Sequence, residues 1–255
     1  MDERYRRLKR ATIVLAVLLL ACIIAIGGLA VKVGEQESAY DALSEEYGES
    51  LDGGSMESSG HASWVLSSWS TSLEQLGIDA DVVFFGDSIT RGGDFQSYLE
   101  EISVVNLGIV GDTLEDMMER TSMISSVSPE KIFIMGGVNS LDDEDVESAL
   151  EEYDALLDQI IEENPDAEVY VESLLPIGEE NTVNSVDNDE VVEFNTGLEQ
   201  LAESKGLVYI DLHSLYVDED GFLDSGRTAD GLHLTSDSYD LWYKAVEGYA
   251  YGNLQ

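Results

Sequence analysis

The chain has one cysteine, three prolines and twelve basic residues in 255 positions. Each scarcity excludes something. Cys22 alone allows no internal disulfide and no thiolate zinc site. It lies inside an apolar run, so it offers no thiol nucleophile to a water-exposed site. Three prolines beside 23 glycines exclude collagen-like and proline-rich material. Twelve Lys and Arg against 53 Asp and Glu leave a net charge of −41. Such a chain has nothing with which to neutralise phosphates, which excludes nucleic acid as a partner and argues against docking on anionic headgroups. Imidazole is also scarce: His61, His213 and His233 are the only histidines. What is plentiful is apolar matter, 44% of the chain, enough for a sizeable core.

The few cations are concentrated. Residues 1–32 hold six of them, with two acids, and the remaining 223 residues hold six cations and 51 acids. Five of the first six lie before Ala11–Val31, a run of 21 residues without a charge. A helix of that length matches the roughly 30 Å hydrocarbon core of a bilayer. The basic tip at 1–10 is expected to stay in the cytoplasm and the acidic body to lie outside. Uncleaved, 11–31 is a single transmembrane anchor. Two alternatives stay open. A cleaved signal peptide would lack a convincing A-x-A site. A lipoprotein signal would use Leu19-Leu20-Ala21-Cys22, although the residues after Cys22 remain apolar.

Residues 32–60 read as an acidic juxtamembrane segment followed by a Gly/Ser-rich linker, LDGGSMESSG at 51–60. The globular domain is therefore placed at 61–255. Within it, short apolar runs alternate with helical periods. Strands are expected at 82–85, 103–106, 131–135, 168–171 and 207–210. Between them, Val146, Leu150, Tyr153, Leu157 and Ile160 recur at spacings of 4 and 3, as do Val191, Phe194, Leu198 and Leu201. A last helix carries Tyr239, Trp242, Val246 and Tyr249, with Ser236 as its candidate cap. Continuous apolar strands separated by amphipathic helices predict a parallel five-stranded sheet covered on both faces, a three-layer α/β/α fold. In such a sheet the site lies beyond the carboxyl ends of the strands.

Four segments at that edge carry candidate chemistry. The first strand runs into Gly86-Asp87-Ser88-Ile89-Thr90, which places a serine just past a buried strand. A serine hydroxyl is a weak nucleophile and needs a base. His233, in Asp230-Gly231-Leu232-His233, has a carboxylate three residues before it, close enough on one turn to fix the imidazole. His213, in Asp211-Leu212-His213, is the rival base. Acyl transfer also needs donors for a developing oxyanion. The segments Asn106–Thr113 (NLGIVGDT) and Gly136–Asn139 (GGVN) both follow strands and can supply an amide and a carboxamide.

These segments, in this order, resemble the SGNH (GDSL-type) hydrolase family, over about residues 61–250. The helix WVLSSWSTSLEQL before the first strand and VYIDL in the fifth resemble it too. The resemblance implies a flavodoxin-like fold and an ester-hydrolysing site. It implies Ser88 as nucleophile, His233 as general base and Asp230 as its partner. It also implies an oxyanion hole of the Ser88 amide, the Gly111 amide and the Asn139 side chain. One departure stands out: where the family usually reads G-x-N-D, this chain has Ser140 after Asn139, in a position of support rather than chemistry.

The implied substrate is a small ester, with O-acetyl groups on carbohydrates or lysophospholipid-like esters as the best fit. A cell-wall O-acetyltransferase using the same triad and a catalytically silent scaffold are the alternatives. No cofactor and no metal are expected. The acidic clusters at 142–145 and 218–221 invite a calcium reading, but the first suits a helix start and the second lacks EF-hand spacing.

Overall fold

Five short apolar runs form five strands, and all of them are parallel. The computed structural model describes residues 79–253. The anchor at 11–31, the segment at 32–60, the domain start at His61 and the helix expected before the first strand lie outside the described residues. In chain order the elements are β1 (Val82–Gly86), α1 (Ser88–Arg91), α2 (Phe95–Tyr98), β2 (Val104–Gly108), α3 (Leu114–Glu119), α4 (Ser122–Ser125), β3 (Lys131–Met135) and α5 (Val138–Asp143). There follow α6 (Val146–Glu163), β4 (Glu168–Glu172), α7 (Asn188–Lys205), β5 (Val208–Ile210), α8 (His213–Tyr216), a 3₁₀ turn at Ser236–Tyr239 and α9 (Asp240–Ala250). Among these no helix is long and apolar enough to cross a membrane.

The sheet order is β2-β1-β3-β4-β5. The chain steps from β1 to β2 on one side and then returns to build β3, β4 and β5 on the other. That reversal opens a crevice beyond the carboxyl ends of β1 and β3, where α/β sheets place their ligands. β1 is an interior strand and every one of its residues is buried, which is why its sequence is an unbroken apolar run.

Side chains alternate between the two faces of the sheet. On one face the register aligns Phe84, Phe133 and Tyr170 across β1, β3 and β4. Their rings stack at 4.9 and 4.6 Å. Phe95 of α2 lies over Phe84 at 3.7 Å and meets Trp242 of α9 edge-on at 5.4 Å. The opposite layer is built from α6 and α7, where Tyr153 and Phe194 meet edge-on at 6.0 Å. Tyr153 donates its hydroxyl to the Ile134 carbonyl of β3. Truncating any of these buried rings to alanine should cost about 3–5 kcal/mol.

The long helices begin where the sequence supplies caps. Asp145 accepts from the Ser148 amide at the start of α6, and Asp187 forms a reciprocal capping box with Glu190 at the start of α7. The acidic cluster at 142–145 thus divides its work: Asp145 caps α6, and Asp142 accepts from the amide and hydroxyl of Ser185. At 218–221, Asp218 accepts from the Asp220 and Phe222 amides in a turn. Ser236 is not the cap of the last helix. It is the first residue of a 3₁₀ turn that Thr235 precedes, and α9 starts only at Asp240 with Tyr239 at its cap position.

Candidate active site

Ser88 owes its position to the sharp exit from β1. A Cβ on Gly86 would fall 2.0 Å from the Met135 carbonyl oxygen, so only glycine lets β1 and β3 stay paired there. Asp87 follows as the cap of α1, accepting from the Ile89 amide at 2.9 Å. Ser88 is then the first residue of α1, half-buried at the sheet's carboxyl edge.

The base arrives from the other end of the chain. Residues 228–234 form a tight loop closed by a bridge between Thr228 and Leu234. The Thr228 hydroxyl oxygen accepts from the Gly231 amide at 2.9 Å. Tyr239 donates its hydroxyl to the Ile89 carbonyl at 2.6 Å, fastening the C-terminal region to α1. Ser88 Oγ lies 2.9 Å from His233 Nε2, and His233 Nδ1 lies 2.7 Å from Asp230 Oδ2. With Nδ1–H donating to the carboxylate, Nε2 presents its lone pair to the serine hydroxyl.

The second Asp230 oxygen accepts from the amides of His233 at 2.8 Å and Leu232 at 3.0 Å. Partial burial pushes the Asp230 pKa up, but the hydrogen bonds from the His233 ring and from these amides outweigh it and hold the group at about 2. Asp230 is therefore an anion at any working pH.

The other candidate residues lie just after the neighbouring strands β2 and β3. Gly111 follows β2 at φ +81°, a left-handed conformation that favours glycine. Asn139 is in the first turn of α5, just after β3, and donates from Nδ2 to the Asp112 carbonyl at 2.8 Å. Its second N–H is left for another acceptor. Among the described residues, neither the Ser88 nor the Gly111 amide makes an intramolecular hydrogen bond. Ser140 accepts the Leu114 amide at 2.9 Å in a buried bond, so α5 is tied to the start of α3 at the position where the family usually has aspartate.

His213 is not brought to Ser88. It starts α8, its Nε2 is buried without a partner, and burial lowers its pKa. The Asp211 carboxylate is taken by the Ser214 amide and hydroxyl.

A model of the GDSL-like lipase/acylhydrolase family matches residues 84–241, more than half of the chain. The chain belongs to this family. It is accordingly an acylhydrolase, and its α/β sheet is the SGNH fold. Solved structures agree on that fold. A GDSL-like lipase from Bacteroides thetaiotaomicron is 18% identical with a TM-score of 0.62, over 74% of this chain and 98% of that one. The lipase/acylhydrolase from Enterococcus faecalis is 22% identical with a TM-score of 0.59, over 68% and 96%. A catalytic mutant of the acetylxylan esterase Axe2 from Geobacillus stearothermophilus is 19% identical with a TM-score of 0.54, over 69% and 95%. A search of curated proteins returned no significant match.

Three residues beside this site were given no role by the sequence, although Asp87 and Asp112 stand inside its motifs. Asp87 is wholly buried with Oδ2 unpartnered. Burial raises its pKa to about 7, against the Ile89 hydrogen bond; nearby Asp112 raises it further, and His233 and Arg120 oppose. Arg120 and Asp112 form a buried ion pair beneath the loop that carries Gly111. Burial lifts Asp112 to about 6 despite the arginine. The one available signal was economy: Arg120 is among only six cations beyond residue 32.

Proposed function

We propose that this acylhydrolase is a serine esterase working through Ser88, His233 and Asp230. The observation that carries the reading is the unbroken relay from Ser88 Oγ through His233 to Asp230, at 2.9 and 2.7 Å. His233 Nε2 takes the hydroxyl proton as Ser88 Oγ attacks the ester carbonyl carbon. Asp230 holds the ring and stabilises the imidazolium. The Ser88 and Gly111 amides and the free Asn139 N–H receive the oxyanion. The tetrahedral intermediate collapses as His233 returns the proton to the leaving alcohol. Water, activated by the same Nε2, then releases the acid and restores Ser88.

The substrate we assign is a small acyl ester, with O-acetyl groups on carbohydrates foremost. Acetylxylan esterases among the structural neighbours support this choice. The net charge of −41 supports a neutral rather than an anionic substrate, by repulsion. We assign the enzyme to the outer face of a membrane, anchored by 11–31. The support is the uncharged run behind a basic tip. Protease added to intact cells should remove the catalytic body, and full protection would refute this topology.

The catalytic reading is tested by hydrolysis of p-nitrophenyl acetate and longer-chain esters by the full-length protein and its Ser88→Ala variant. Turnover should be highest for acetyl and absent from the variant. A folded wild type without turnover would refute the esterase and point to transfer onto a sugar acceptor.

A further inference from the structure

Among the described residues Arg120 is the one buried cation, 1% exposed in a chain with very few cations. Burying a guanidinium costs several kcal/mol unless its donors are satisfied. Here they are satisfied in an instructive pattern. Nε pairs with the Asp112 carboxylate. Nη1 donates to the Leu107 carbonyl at 2.7 Å, near the end of β2. Nη2 donates to the Gly86 carbonyl at 2.8 Å, the last residue of β1. The guanidinium plane sits 4.2 Å from the centre of the Phe85 ring. One planar group thus grips the residue two before Ser88 and the residue directly after Gly111.

We propose that Arg120 is a positioning residue that sets the distance between the nucleophile and the oxyanion-binding amide of Gly111. The inference rests on the catalytic roles assigned above to Ser88 and Gly111. Ahead of Thr113, which caps α3, the loop from Ile109 to Asp112 has three ties to other parts of the fold. Ile109 donates its amide to the Gly86 carbonyl at 3.0 Å. The Asp112 carbonyl receives the Asn139 carboxamide. The Asp112 carboxylate receives Arg120. Gly111 itself has no side chain and makes no intramolecular hydrogen bond among the described residues. Its orientation depends on its neighbours, and Asp112 is the better held of the two, since Val110 on the other side is 74% exposed.

Only arginine presents three donors in one plane at fixed angles. A lysine at 120 could satisfy one of these partners but would leave the others unbridged. Arg120 is buried beneath the loop, so the residue acts through Gly111. A transition-state contact displaced by ~1 Å costs on the order of 10² in rate.

The test compares wild type with Asp112→Asn, Arg120→Lys and Arg120→Ala, using p-nitrophenyl acetate. Circular dichroism confirms folding of each protein at the assay temperature. Asp112→Asn keeps the side-chain volume but loses the charge, and is read even where the arginine variants fail to fold. The expected result is a fall in kcat on the order of 10²-fold for Arg120→Lys and about 10-fold for Asp112→Asn. KM should stay within about threefold, because the hole is used mainly in the transition state.

The double variant Arg120→Lys/Asp112→Asn should be no slower than Arg120→Lys alone, because the two act as one tie. Added guanidinium should restore kcat to Arg120→Ala at least about tenfold, and sodium chloride of equal ionic strength should not. A merely structural arginine would lower the melting temperature and leave the kcat of the folded variants near wild type, which would overturn the proposal. Wild-type protein without Ser88-dependent turnover would instead remove the catalytic reading, and this inference with it.

Discussion

Two aspartates flank the same serine–histidine pair and are treated in opposite ways. Asp230 keeps 38% of its side chain exposed and receives hydrogen bonds from the His233 ring and two amides. It is held near pKa 2. Asp87 is completely buried and receives one amide bond, with its other oxygen unpartnered. It is raised to about 7. The chemical group is the same; solvent and donor count decide its charge. In the proposed mechanism the anion is kept where an imidazolium must be stabilised. The carboxyl that can hold a proton is kept where the chain needs a compact helix cap.

The largest expected effect falls on the first of these groups. Asp230→Asn should lower kcat by ~10³–10⁴-fold, the scale for losing the carboxylate that fixes a catalytic histidine. Its melting temperature should change little, because the site is half-exposed. If Asp87→Asn produced the larger loss of activity, the assignment of roles would be reversed.

The next effect concerns the whole molecule. Asp87, Asp112 and Glu172 all have folded pKa values raised by burial, to about 7, 6 and 8. Between about pH 4 and pH 8 the folded state therefore binds more protons than the unfolded chain, and stability falls as pH rises. Above pH 8 this contribution levels off. Asp230, with its depressed value, acts in the opposite sense only as pH falls below about 4. Repulsion among the excess acids adds to the loss on the alkaline side. Calorimetry should show a melting temperature roughly 10 °C lower at pH 8 than at pH 5. A flat or rising profile would show that these carboxyls are not buried as described.

Asp87→Asn isolates one share of that slope. Asparagine caps a helix as well as aspartate, so the variant should match wild type at pH 4 and gain about 2–4 kcal/mol at pH 8. Esterase activity at pH 7 should stay within about threefold. A gain independent of pH would mean that packing, not ionisation, is responsible.

A comparable effect is expected at Glu172, whose Oε1 receives the Trp242 indole N–H at 2.6 Å while Oε2 has no partner, and whose pKa is raised at least as far as that of Asp87. Glu172→Gln should gain about 2–4 kcal/mol at pH 9 and nothing at pH 4. Urea titrations followed by tryptophan fluorescence would measure it.

The same contrast between buried and solvated groups explains what could be read from the sequence. β1, β3 and β4 were legible because a strand covered on both faces is a continuous apolar run. The second strand was expected at 103–106 but runs Val104–Gly108. Its middle residue is Asn106, whose carboxamide donates to the carbonyls of Thr90 and Gly93, a use that no apolar pattern signals. The fifth strand starts at Val208, one residue later than expected. Single-turn helices such as α1, α2 and α4 are too short to show a period.

At the site, Ser88, Asp230 and His233 were named because each stands in a recognisable motif, and the fold brings them into contact. Gly111 and Asn139 follow β2 and β3, the strands after which their motifs stand. Arg120 was invisible because two of its three partners are backbone carbonyls, which any sequence supplies. Asp87 was visible as part of a motif, but its charge state depends on burial that only the packed structure reveals.

The central claim is that Ser88 is activated by His233, and covalent labelling tests it most directly. The full-length protein would be treated with a fluorophosphonate probe at neutral pH and digested, and the adduct located by mass spectrometry. The account predicts one modified site, Ser88, with labelling lost in Ser88→Ala and slowed by at least about 10²-fold in His233→Ala. Labelling at another serine, or none on demonstrably folded wild-type protein, would contradict it.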